Sequence, residues 1–205
     1  MSKLLIATHN PAKFNEFVEL LSNYKLTLVS LKDLSIKAKA PEEADNFKDN
    51  ALAKAKFYYN LAQLPTLADD SGLEIDALDG WPGASSRRIF GVDNHEATDE
   101  ELIQETLRRL KDMPWEKRTA HFSIAVALVL NQAEFYVAEG QGLTGYIAAE
   151  PTTTRISGYP FRSLFYVSEY NKLSADLSSE ERDEVGFRHR PIMLDKLEPY
   201  LKRLC

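Results

Sequence analysis

Apolar positions change their period along this chain, and the changes mark out its elements. Lys3 to Thr8 is a short apolar run closed by His9-Asn10-Pro11, which predicts a buried strand. Pro11 suits a first helical turn, and Phe14, Phe17, Leu20 and Leu21 follow at helical spacing. Asn46 with Asp49 three positions on predicts the start of a second helix, with the stripe Phe47, Ala51, Ala55, Tyr58 and Leu61. Thr98 with Glu101 predicts a third, carrying Leu102, Ile103, Thr106, Leu107 and Leu110. After Lys117-Arg118 the period falls to two. Ala120, Phe122, Ile124, Val126 and Leu128 predict a long half-buried strand, with a turn at Gln132 and a returning strand over Glu134 to Glu139. Ser178 with Glu181 predicts a short helix, and Ile192 to Leu204 a terminal amphipathic one. A βαβ-like start and a central hairpin together predict an α/β fold with a mixed central sheet and flanking helices. We expect one domain over residues 1–205, with two lobes around a cleft.

Composition narrows the function classes. The chain has 205 residues, 44% of them hydrophobic, enough for one good core without a split into domains. A formal net charge of −6 argues against a nucleic-acid polymer as partner, yet leaves room for a small anion held by a few lysines. The single cysteine, Cys205, can staple nothing within the chain, and no apolar segment approaches the length of a membrane span. The expected location is the cytoplasm, with no membrane partner.

The densest chemistry is Leu67-Ala68-Asp69-Asp70-Ser71-Gly72-Leu73. Two adjacent acids lie between an apolar run and a Ser-Gly pair, flanked by Leu64 on one side and by Ile75 on the other. Carboxylates at the mouth of a buried strand suffer desolvation and mutual repulsion unless a cation or a proton sits with them. A hard divalent metal is one relief; a solvated turn with an Asx-type backbone contact is the other. Thr8, Asn10 and Lys13 lie where a strand meets a helix, a seat for phosphate or an ordinary turn. Asn50 and Lys54, at i and i+4, share one helix face, which is a solvated face or a site wall. Phe161-Arg162 and Phe187-Arg188 each pair a ring with a guanidinium, suited to a base and its phosphates or to core packing beside a surface charge.

Taken in order, these segments resemble the inosine triphosphate pyrophosphatase family, hydrolases of noncanonical purine nucleoside triphosphates. Ala7-Thr8-His9-Asn10-Pro11-Ala12-Lys13 is similar to that family's A-T-x-N-x-G-K, with Ala12 for glycine. Glu42 through Ala55 resembles E-x-x-x-x-F-x-E-N-A-x-x-K-A, with Asp49 for glutamate. Leu67 to Leu78, followed by Pro82-Gly83 and Ser86-x-Arg88, resembles A-D-D-S-G-L-x-V-D-A-L-x-G-x-P-G-x-x-S-x-R. The resemblance implies a strongly twisted mixed sheet, two lobes around a nucleotide cleft and a homodimer. It also implies a cut between the α and β phosphates with Mg2+, or Mn2+ in its place. Thr8, Asn10, Lys13 and Lys54 would hold phosphates, with Ser71 close by. Glu42 and Asp70 would sit at the metal, and Asp70 would take the proton of the attacking water.

The C-terminal half departs from that pattern. The family's G-F-G-Y-D-P is met by Gly158 to Ser163, which puts Phe161 for its tyrosine and Arg162 for its aspartate. Its S-H-R is aligned with Gly186-Phe187-Arg188, losing serine and histidine and keeping Arg188, and a lysine upstream becomes Arg182. A guanidinium in place of an acceptor inverts which base edge can be bonded, so we expect phosphate cleavage intact and base preference changed or relaxed. The competing reading is a nucleotide-binding pseudoenzyme or sensor without turnover.

Overall fold

A computed structural model describes residues 2–90, 96–184 and 189–205. The expected mixed α/β architecture is present. Seven strands form one sheet in the order β2-β1-β3-β4-β5-β6-β7, with β1 Ser2–Ile6, β2 Leu26–Ser30, β3 Thr66–Ile75, β4 Thr119–Asn131, β5 Glu134–Ile147, β6 Phe165–Val167 and β7 Lys172–Leu173. The helices are α1 Pro11–Leu20, α2 Phe47–Ala62, α3 Asp99–Arg109, α4 Ser179–Glu184 and α5 His189–Leu201. β1 runs parallel to both β2 and β3, and β6 is antiparallel to β5 and β7. Gln132-Ala133 joins β4 to its neighbour β5, a connection too short for anything but an antiparallel pair.

The chain divides into two compact units. The first holds Met1–Ser71, Ile124–Gly140 and Arg190–Cys205. Residues 4–6 of β1, 66–70 of β3 and 124–129 of β4 are buried on both faces, and period two sorts their side chains into two layers. Leu4, Ile6, Leu67, Ile124, Val126 and Leu128 pack with Phe17 of α1 and with Met193, Leu194 and Leu197 of α5. Their neighbours Leu5, Ala7, Ala68, Ala125, Ala127 and Val129 pack with Ala51, Ala55 and Tyr58 of α2. Residues 124–129 of β4 are therefore wholly buried, where alternation had predicted a half-buried strand.

The second unit, Gly72–Ser123 and Gln141–His189, packs Leu102, Ile103 and Leu110 against Leu73, Ile75, Ile147, Leu164 and Phe165. The buried Arg118 guanidinium donates to the carbonyls of Leu110, Met113 and Ala148, closing the C-terminal end of α3.

The predicted caps are in place. Asn46 accepts from the Asp49 N–H, and Thr98 with Glu101 forms a full capping box. Ser178 and Glu181 form the same reciprocal pair ahead of α4. Three expectations need correction. β1 stops at Ile6, two residues short of Thr8. β3 runs straight through Asp69-Asp70-Ser71-Gly72, so the acids are mid-strand and the solvated-turn reading fails. β5 extends eight residues beyond Glu139. Its glycines favour close packing here: a Cβ on Gly145 would lie 2.4 Å from the Tyr166 carbonyl oxygen.

Candidate active site

Asp69 and Asp70 follow Leu67 and Ala68 on β3, and the same alternation sends their side chains to opposite layers. Asp69 joins the layer of α1 and α5. Its Oδ2 accepts from Lys13 Nζ at 3.0 Å and from Arg190 Nη2 at 2.7 Å and Nε at 3.2 Å. Arg190 also donates through Nη1 to Glu16 at 2.9 Å. Burial opposes the charge on Asp69, but Arg190 and Lys13 outweigh it and hold the carboxyl far below its ordinary range. Burial likewise lowers Lys13, with Asp69 working against that shift.

Asp70 belongs to the layer of α2. Its Oδ1 accepts from the Ser71 N–H at 3.0 Å, whereas Oδ2 is buried with no hydrogen-bond partner among the described residues. Burial pushes Asp70 up to about 6; Lys54 and Lys13 pull it down, Glu42 raises it further, and the Asn50 amide lowers it. Asn50, fully buried on α2, accepts from the Ala44 N–H and donates to the Ala44 carbonyl. One turn later, Lys54 Nζ pairs with the Glu42 carboxylate and donates to the Asp69 carbonyl at 3.1 Å. Burial disfavours the Lys54 cation, yet Glu42, Asp70 and Asp69 together raise its affinity for the proton.

Five of the predicted site residues thus meet within the first unit: Lys13, Glu42, Lys54, Asp70 and Ser71. The two lysines already hold carboxylates. Thr8 and Asn10 have local duties, since Thr8 Oγ1 accepts from the Asn10 N–H and Asn10 Oδ1 caps α1 through the Ala12 N–H. In the second unit, Phe161 is 6% exposed and packs in the core with Leu164 and Phe165. The Arg162 guanidinium lies 4.2 Å from the Tyr159 ring centroid. Arg182 reaches Ser179 Oγ at 3.4 Å. Phe187 and Arg188 lie outside the described residues.

Sequence reasoning missed Arg190 and Glu16 and gave Asp69 no role of its own. The S-H-R pattern also fits Arg188-His189-Arg190, a register that exchanges only the serine. Arg190 of that triplet is buried against Asp69. The signal was the His-Arg pair itself, two residues beyond the alignment chosen.

Fold and site define an α/β protein with a dense constellation of acids and cations around one strand and three helices. A sequence model of the Ham1 family matches residues 4–199, and the chain belongs to that family. It is 39% identical to the dITP/XTP pyrophosphatase of Halalkalibacterium halodurans over 197 residues, 96% of this chain and 98% of the relative. The enzyme of the same name from Geobacter sulfurreducens is 38% identical over 196 residues, 96% of each. Among solved structures, a HAM1 protein from Coxiella burnetii superposes with a TM-score of 0.82 at 31% identity, covering 99% of this chain and all of that one. The Staphylococcus aureus Ham1 protein gives 0.79 at 27%, covering 98% of each.

Proposed function

We propose that this protein is a metal-dependent nucleoside triphosphate pyrophosphatase acting on noncanonical purine nucleotides of the dITP, ITP and XTP type. The observation that carries the reading is the unpartnered, buried Oδ2 of Asp70, set beside Glu42 and Lys54 in a chain that matches dITP/XTP pyrophosphatases over nearly its whole length. A buried carboxylate oxygen without a partner is costly, and a site that supplies its partner on ligand binding explains its retention.

The Asp70 and Glu42 carboxylates fit a hard divalent ion, Mg2+ or Mn2+, and would hold it. Among the described residues no three acids or histidines converge on a point, so phosphate oxygens and water would complete the shell. When bound, such an ion neutralises phosphate charge at the α–β linkage. The chain's own residues do the rest. Asp70, poised near 6, accepts a proton from water at its carboxylate as the water oxygen attacks phosphorus. The bond to the bridging oxygen breaks, and pyrophosphate leaves with the electron pair. Lys54 and Lys13 exchange carboxylate contacts for phosphate oxygens and stabilise the charge that develops there. Ser71 stands next to the reacting carboxylate.

Colorimetric pyrophosphate release with Mg2+ on a panel of dITP, XTP, ITP and the standard triphosphates tests the reading. Release from the noncanonical purines well above the standard bases supports it and overturns the expectation of a changed or relaxed base preference; binding of nucleotide without release favours the sensor. The same reading makes the chain one catalytic domain in a cytoplasmic homodimer, which light scattering at working concentration checks.

A further inference from the structure

Residues 36–44, which carry Glu42, form neither helix nor strand, yet three side chains of α2 hold them in register. Asn50, Lys54 and Tyr58 stand at i, i+4 and i+8, hence on one face. Asn50 takes both backbone groups of Ala44. Lys54 takes the Glu42 carboxylate. Tyr58 Oη accepts from the Ala40 N–H at 3.2 Å and donates to the Ala38 carbonyl at 2.9 Å. His9 adds a third tie there, its Nε2 lying 3.1 Å from both the Ala38 carbonyl oxygen and Tyr58 Oη. The segment thus runs antiparallel to the helix, two residues for each helical turn. The spacing matches: four helical residues rise about 6 Å, and two extended residues span about 6.6 Å.

We infer that Tyr58 is a positioning residue, a clasp that fixes the backbone N-terminal to Glu42 so that its carboxylate stays beside Lys54 and Asp70. The inference rests on the reading of Glu42 as half of a divalent-ion site. Asn50 pins the segment two residues after Glu42; on the other side Tyr58 and the exposed His9 hold the backbone of Ala38 and Ala40, with the Ile36 N–H bonded to the Leu31 carbonyl further back. The phenol is 2% exposed and its ring packs in the α2 layer, so its apolar part belongs to the core while its hydroxyl has the separate duty. Periodicity alone counts Tyr58 as a core residue and does not reveal the second role.

Tyr58→Phe removes the hydroxyl and keeps the ring. Two measurements on the full-length protein decide the matter: Mn2+ affinity by titration without nucleotide, and hydrogen exchange of the Ala40 and Ala44 amides. Loss of an outer partner that orients a metal ligand predicts Mn2+ affinity weakened about tenfold or more. The Ala40 amide should exchange about tenfold faster, with the β1 amides unchanged. With dITP, the Mg2+ concentration for half-maximal rate should rise by a similar factor, while kcat at saturating Mg2+ stays within about twofold. His9→Ala, at an exposed side chain, should move the same quantities in the same direction by less and guards against loss of fold in the first variant. Tyr136→Phe, which removes a hydroxyl bonded to Glu134 instead, should match the parent. Unchanged Mn2+ affinity in both Tyr58→Phe and His9→Ala overturns the clasp. If the parent releases no pyrophosphate, the functional reading fails, and the clasp is still judged by Mn2+ affinity and exchange.

Discussion

Asp69 and Asp70 are neighbours on one strand and serve opposite layers: Asp69 is neutralised by Lys13 and Arg190, while Asp70 keeps a buried oxygen without a partner among the described residues. One pleat separates a structural ion cluster from the carboxylate we propose as the base. Their linkage to pH has opposite sign as a result.

Asp69→Asn should be the more damaging change for stability. It leaves two buried cations without their shared counter-charge, an effect worth about 3–5 kcal/mol when one member of a buried pair is removed. Urea unfolding at pH 7 measures it. A loss below about 1 kcal/mol would contradict the assignment of Asp69 as the keystone of α1 and α5.

Asp70→Asn should instead stabilise. The folded pKa of about 6 lies above the ordinary 3.8, so the folded state favours the neutral carboxyl and its contribution to stability is lost as pH rises through 6. At pH 8 the amide removes that penalty, a gain on the order of 3 kcal/mol, and the difference fades below about pH 4. Unfolding curves of the two proteins across that range check both sign and window.

Much of this was legible in the sequence, for local reasons. The pairs Asn46 with Asp49, Thr98 with Glu101 and Ser178 with Glu181 lie three residues apart, and caps depend on nothing further away. The run through Asp69-Asp70-Ser71-Gly72 misled because Ser-Gly signals a turn, whereas pairing in the sheet keeps it extended. β2, β6 and β7 went unseen, being two to five residues long with few apolar positions. Arg190 reaches Asp69 across 121 residues, a pairing that no window of the sequence contains. Phe161 beside Arg162 suits a base in one dimension and fills a core in three.

Turnover should rise with pH across the acid limb. Asp70 must be ionised to accept a proton, so kcat/KM for dITP climbs with pH until the carboxyl is fully ionised and then levels. The plateau should be independent of buffer identity. A rate that falls over pH 5 to 7 would require Asp70 to act protonated.

Gly145→Ala and Gly140→Ala separate two kinds of crowding. At Gly145 the new methyl would meet the Tyr166 carbonyl oxygen at 2.4 Å and the Phe165 ring at 2.8 Å, neither free to retreat. At Gly140 the nearest atom is the flexible Met193 Cε at 2.7 Å. Thermal denaturation should show Gly145→Ala costing about 1–3 kcal/mol and Gly140→Ala clearly less.

Glu42→Gln keeps the shape of the side chain and removes its charge. It should raise the Mg2+ requirement about tenfold or more, and excess chelator should abolish turnover in the parent. Metal titrations of initial rate supply the comparison. An unchanged Mg2+ requirement would place the ion away from Glu42.

In the proposed reaction the Asp70 carboxylate is where water gives up its proton. Pyrophosphate release from dITP and equilibrium binding of the same nucleotide, both measured on Asp70→Asn, test it most directly. The expected result is release reduced by about 10²–10⁴-fold with binding retained to within a few-fold. Release at the parent's rate would contradict the claim outright.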